Sequence, residues 1–89
     1  GPELISEPPL FQWERDASAT KYIVNVYTAQ GTVQWTKEVP KTDDAVMSVQ
    51  YDGPALKGFY QWIVVSYKNT APISMSEDLL GIFYTNMQY

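Results

Sequence analysis

Cysteine and histidine are both absent from this chain. Their absence removes thiol nucleophiles, thiolate and imidazole metal ligands, imidazole acid–base chemistry and disulfides together. It leaves the redox compartment open, because a cysteine-free domain is tolerated in any of them. Cations are few: Arg15, Lys21, Lys37, Lys41, Lys57 and Lys68 stand singly along a chain of formal net charge -4. Phosphate backbones and anionic membrane surfaces are held by clustered cations, so neither nucleic acid nor such a surface is expected as a partner. No apolar run approaches the ~20 residues that span a bilayer, so no membrane insertion is expected. No window carries the apolar repeat of a helix.

What is present favours strands. The 89 residues make one domain, with room for a single core but not for an elaborate buried active site besides. Seven Tyr, three Trp and three Phe stand among many Val, Thr and Ile, the residues that fit a pleated, half-buried surface. The chain opens Gly1-Pro2 without an initiating Met, the pattern left when a tag is cleaved. Residues 1–2 are accordingly expected to be a cloning scar, and the chain a piece excised from a longer protein.

Alternation and turn chemistry divide the rest. Residues 3–7 read as a short first strand, ended by Pro8-Pro9 because proline cannot donate to a ladder. Leu10 to Glu14 follows, with Phe11 and Trp13 facing inward. Arg15 to Thr20 is a polar loop. Lys21 to Thr28 places Tyr22, Val24 and Val26 on one face and Ile23, Asn25 and Tyr27 on the other. Ala29-Gln30-Gly31 is a hairpin loop with Gly at the position that wants a positive φ, and Thr32 to Glu38 is the return strand. After a polar crossing, Ala45 to Tyr51 is a further strand, broken by Asp52-Gly53-Pro54.

Phe59 to Lys68 is the most strand-like segment, apolar on both faces except for Gln61 and Ser66. Such a strand is sandwiched between layers, or has an outer face that something covers. Asn69 to Pro72 turns the chain, Leu79 to Thr85 is the last strand, and residues 86–89 read as a terminal segment or linker. About seven short strands with turns between them predict an all-β chain folded as a two-sheet antiparallel sandwich over residues 3–85.

Three stretches carry a family resemblance: Pro9-Leu10-Phe11-Gln12-Trp13, Ala19-Thr20-Lys21-Tyr22-Ile23-Val24-Asn25-Val26, and Leu56-Lys57-Gly58-Phe59-Tyr60-Gln61-Trp62-Ile63-Val64. Together they resemble the fibronectin type III-like modules of bacterial surface and secreted proteins, over nearly all of residues 8–84. The resemblance implies an immunoglobulin-like sandwich in a multidomain extracellular or cell-surface protein. It also implies a tyrosine corner, with the Tyr60 hydroxyl bonded back to backbone near the preceding turn. The chain departs from the family pattern at Phe59, where a small polar residue is common, and it has no Arg-Gly-Asp adhesion tripeptide.

Candidate chemistry is thin. Asp43-Asp44, Glu77-Asp78 and Glu14 with Asp16 are the carboxylate pairs, but none has the alternating spacing of a calcium loop, and solvated loop charge explains them. Ser and Thr lack an imidazole or thiol to work with. No catalysis, metal or cofactor is expected. Trp13 and Trp62 fall at core positions of the family skeleton, whereas Trp35 matches none and is the candidate for stacking on a sugar ring.

In the resembled family the strands matching Lys21–Thr28 and Phe59–Lys68 are neighbours in one sheet. Ile23, Tyr27, Ile63, Val65 and Tyr67 then form an outer apolar patch with Trp35 at its margin, relieved only by Asn25 and Gln61. A solvated sheet face alternates to polar instead. The expected role is a non-catalytic spacer, docking or protein-interaction module whose outer face meets a neighbouring domain or a partner protein. The alternatives are a carbohydrate-binding module using exposed aromatics, and an adhesin domain binding a host protein through the same face. Cover by the terminal segment around Tyr89, or plain tolerance of scattered apolar residues, would explain the patch without any partner.

Overall fold

A half-buried strand imposes period-two alternation. That pattern is realised as eight strands among the described residues, which are 3–5, 7–76 and 82–87 of the computed structural model. They are β1 (Glu3–Ile5), β2 (Leu10–Glu14), β3 (Lys21–Thr28), β4 (Val33–Pro40), β5 (Val46–Gln50), β6 (Lys57–Lys68), β7 (Ala71–Met75) and β8 (Ile82–Asn86). Six of them form one sheet in the order β1-β8-β6-β3-β4, with β7 also paired to β6, while β2 and β5 form the second sheet. Every pairing is antiparallel except β1 with β8. The chain is therefore all-β, a two-sheet sandwich of immunoglobulin-like character.

The core lies between the sheets. The large sheet contributes Tyr22, Val24 and Val26 from β3, Val64 from β6 and Phe83 from β8; the small sheet contributes Phe11 and Met47. Phe11 sits among aromatic rings, with centroids 4.9 Å from Trp62 and 6.0 Å from both Trp35 and Phe83. Two loop residues close the interior, Tyr51 and Leu56, both essentially inaccessible to solvent.

The hairpins follow their turn residues. Gly31 has φ +85° between β3 and β4, and its N–H donates to the Thr28 carbonyl at 2.9 Å. Asn69, one of the residues that tolerate a left-handed backbone, has φ 57° in the two-residue link from β6 to β7. At the start of β6 the Tyr60 hydroxyl donates to the Lys57 carbonyl at 3.0 Å and accepts from the Lys57 N–H at 3.1 Å, so the phenol is tied back to the turn that precedes it.

Boundaries differ from the sequence reading at several strands, β5 being shorter at both ends and β6 starting two residues earlier, and three of the differences have a clear cause. β4 runs on through Val39 and Pro40, with Val39 opposite Tyr22 on the inner side and Pro40 tolerated as the last residue of an edge strand. β7 begins inside the stretch read as a turn, at Ala71, and continues to Met75; all five of its residues are exposed, so no buried face imposes alternation. Asn86 belongs to β8, and Met87 is buried with its N–H bonded to the Leu56 carbonyl at 3.0 Å, so the core extends two residues past the expected end at Thr85. Residues 79–81 of the expected last strand, with Gly1, Pro2, Ser6, Glu77, Asp78, Gln88 and Tyr89, lie outside the described residues.

Candidate functional site

Because Tyr22, Val24 and Val26 point into the sandwich, the intervening Lys21, Ile23, Asn25 and Tyr27 point away from it. The β3–β6 register then sets the outer face in rows: Ile23 opposite Val65, Asn25 opposite Ile63, Tyr27 opposite Gln61 and Lys21 opposite Tyr67. Directly opposed residues share a face and touch. All five residues of the expected patch thus stand on one surface, each half-buried by its neighbours.

The other edge of β6 enlarges that surface. Met75 of β7 lies opposite Val65, extending the row that begins at Ile23. Ile82 of β8 lies opposite Gln61, and Tyr84 lies opposite Phe59, their rings edge to face at 4.8 Å. Met75 is 57% exposed, Phe59 51% and Ile82 39%, values that belong to side chains with no cover on the described part of the molecule. Sequence reasoning stopped at five residues. Phe59 was within reach by counting two positions back from Gln61, whereas Met75 needed the register of a strand that has no alternation.

Four polar side chains on this face, Asn25, Tyr27, Lys21 and Glu38, are engaged in pairs. The Asn25 amide donates to the Tyr27 hydroxyl at 3.3 Å, which lays both side chains along β3. Lys21 pairs with Glu38 at 3.1 Å and lies 5.6 Å from the centre of the Tyr67 ring. The apolar area therefore continues from Ile23 to Met75, with a neutralised ion pair at one border. Each side chain, already half covered, would contribute roughly 1 kcal/mol on full burial.

Trp35 stands elsewhere. It lies opposite Val26 and so turns toward the small sheet, off the outer face whose margin it was expected to mark. Its ring packs 4.9 Å from Tyr51, and its indole N–H donates to Asp52 Oδ1 at 2.9 Å. Lys37 bonds the other carboxylate oxygen at 3.1 Å. These two donors hold the Asp52 carboxyl below the usual carboxylate range, the Lys37 bond foremost. The Trp35 ring is partly buried, packed against Tyr51, Phe11 and the backbone of Gly53.

The carboxylates act in turns. Asp16 accepts from the Ser18 N–H at 2.9 Å, Asp44 from the Thr42 hydroxyl at 3.0 Å, and Asp43 lies 4.0 Å from Arg15. The other Asp16 oxygen, Oδ2, accepts from the Ser74 hydroxyl at 3.2 Å. Comparison with protein-family models, curated proteins and solved structures returned no match.

Proposed function

We propose that this chain is a non-catalytic, fibronectin type III-like interaction module of a larger extracellular or cell-surface protein. In this reading its outer sheet face is covered by a neighbouring domain of that protein. The single observation that carries it is the continuity of the face across three strands, Ile23 to Val65 to Met75, with Ile63, Phe59 and Ile82 beside it. Exposed apolar patches of this kind mark interaction surfaces. The Tyr60 hydroxyl bonded to the Lys57 backbone supports the family part of the reading, since the resemblance implies a phenol bonded back to nearby backbone at this residue.

Spacing and docking are one role here. A module that covers its outer face against a neighbour fixes the angle between the two, and an apolar contact does so without the directional demands of a buried ion pair. Amide exchange tests the reading. In the longer polypeptide, the amides of Ile23, Ile63, Val65 and Met75 should be better protected than in the isolated chain, and Ile63→Thr with Val65→Thr should remove the difference. Equal protection in both settings would overturn it.

A further inference from the structure

The small sheet has only two strands among the described residues, and β2 pairs with β5 alone. The Tyr51 N–H bonds the Pro9 carbonyl and the Arg15 N–H bonds the Ala45 carbonyl, so the odd-numbered residues of this segment direct their backbone groups to β5. Antiparallel alternation sends the N–H and C=O of Leu10, Gln12 and Glu14 the other way, to an edge with no strand beside it among the described residues. Beneath one end of that edge lies an open groove of about 320 Å³, walled by Trp13, Asp16, Val64, Ser66, Ser74 and Ser76 among others. The Trp13 indole N–H is shielded from solvent and has no hydrogen-bond partner. A buried donor left unmade is costly, and here it belongs to a residue of the groove wall.

We infer that the β2 edge and the groove under it, which meets the outer sheet face at Met75, form a second binding site for an extended segment of a partner polypeptide that adds to the small sheet as a third strand. The edge supplies three donor–acceptor pairs, whose natural complement is the backbone of another strand. An added strand would send alternate side chains down onto Trp13, Val64 and Ser66. A hydroxyl or amide on that side would meet the polar part of the wall, Ser66, Ser74 and Asp16. Glu14 and Arg15 border the same groove; Glu14 is exposed and forms no ion pair with a described residue, while Arg15 pairs with Asp43. A cation beside Glu14 completes the partner's chemistry, an extended segment with small hydroxyl residues over the groove and a lysine or arginine at its Glu14 end. The volume is at the low end of the roughly 300–1,000 Å³ of ligand pockets, suited to side chains laid in from above.

The test is a ¹⁵N NMR titration of the whole chain with the acetylated, amidated heptapeptide Thr-Val-Thr-Val-Thr-Lys-Thr. At millimolar peptide the Trp13 indole resonance should move, and the amides of Leu10, Gln12 and Glu14 should exchange several-fold more slowly. The Trp35 and Trp62 indoles should stay in place. The same peptide N-methylated at alternate residues should be inert, and Gln12→Pro, which deletes one edge N–H, should weaken binding several-fold. If Gln12→Pro does not fold, the methylated peptide against the unaltered chain decides alone. Edge amides that do not respond, equal response to the methylated peptide, or movement of the Trp13 indole by soluble oligosaccharides instead of peptide would each overturn the proposal.

Discussion

Trp35 and Asp52, seventeen positions apart, are joined by a 2.9 Å hydrogen bond from the indole N–H to the carboxylate, and Lys37 closes on the same carboxylate at 3.1 Å. The three groups pin β4 to the loop after β5. The Asp52 carboxyl titrates below its unfolded range because both donors favour the ionised form. Its pairing therefore stabilises the fold above the unfolded carboxylate value of about 4 and is lost as pH falls through the lower folded value. Asp52→Asn should flatten the acid limb of the melting temperature measured against pH, with little change at neutral pH beyond the lost ion pair.

Gly53 sits against the same pair. A Cβ built there would lie 2.6 Å from Trp35 Cδ1 and 2.6 Å from the Tyr51 hydroxyl, closer than van der Waals contact permits. Gly53→Ala should destabilise the domain by about 1–3 kcal/mol, the usual cost of overpacking. Urea denaturation should show a lower midpoint at unchanged slope, and near-ultraviolet circular dichroism should report the displaced Trp35.

Tyr60→Phe deletes a hydroxyl that both donates to and accepts from Lys57 while leaving the ring 5.9 Å from Phe83. The expected loss is about 1 kcal/mol, because these bonds are half solvated and each is worth about 0.5–1.5 kcal/mol net. The Lys57 amide should exchange faster in the variant.

Leu56 and Ile63 are seven residues apart and opposite in consequence. Leu56 is fully buried, and Leu56→Ala should cost about 2–5 kcal/mol in urea denaturation. Ile63→Thr removes a half-buried side chain from the outer face and should cost about 1 kcal/mol or less, so that any larger effect on attachment to a neighbour reads the surface and not the fold.

The strands with one buried face were legible in the sequence. Leu10–Glu14 and Lys21–Thr28 were bounded as they occur, since the core demands Phe11 and Trp13 in one and Tyr22, Val24 and Val26 in the other. β7 was not legible, because Ala71–Met75 buries nothing and its only requirement is the backbone ladder to β6. Trp35 was misplaced for a related reason. The irregularity between Val26 and Tyr27 and the distant Asp52 decide which way it turns, and neither is written in its own neighbourhood. The patch residues Ile23, Tyr27, Ile63, Val65 and Tyr67 were legible as a face because period two is strict within a strand. Its extension to Met75 and Ile82 depends on which strands lie beside β6, a property of topology.

β6 offers one edge to β3 along its length and shares the other between β8 and β7. The Ser76 hydroxyl accepts from the Val64 N–H at 3.0 Å, and the Ser76 N–H donates to the Val64 carbonyl at 2.9 Å. At the far side of β8, β1 runs parallel to it, Glu3 beside Phe83 and Ile5 beside Thr85. The first strand therefore enters at one end of the sheet and the last leaves at the other, so tension applied through the two strands loads their hydrogen bonds in shear, all at once and not one after another.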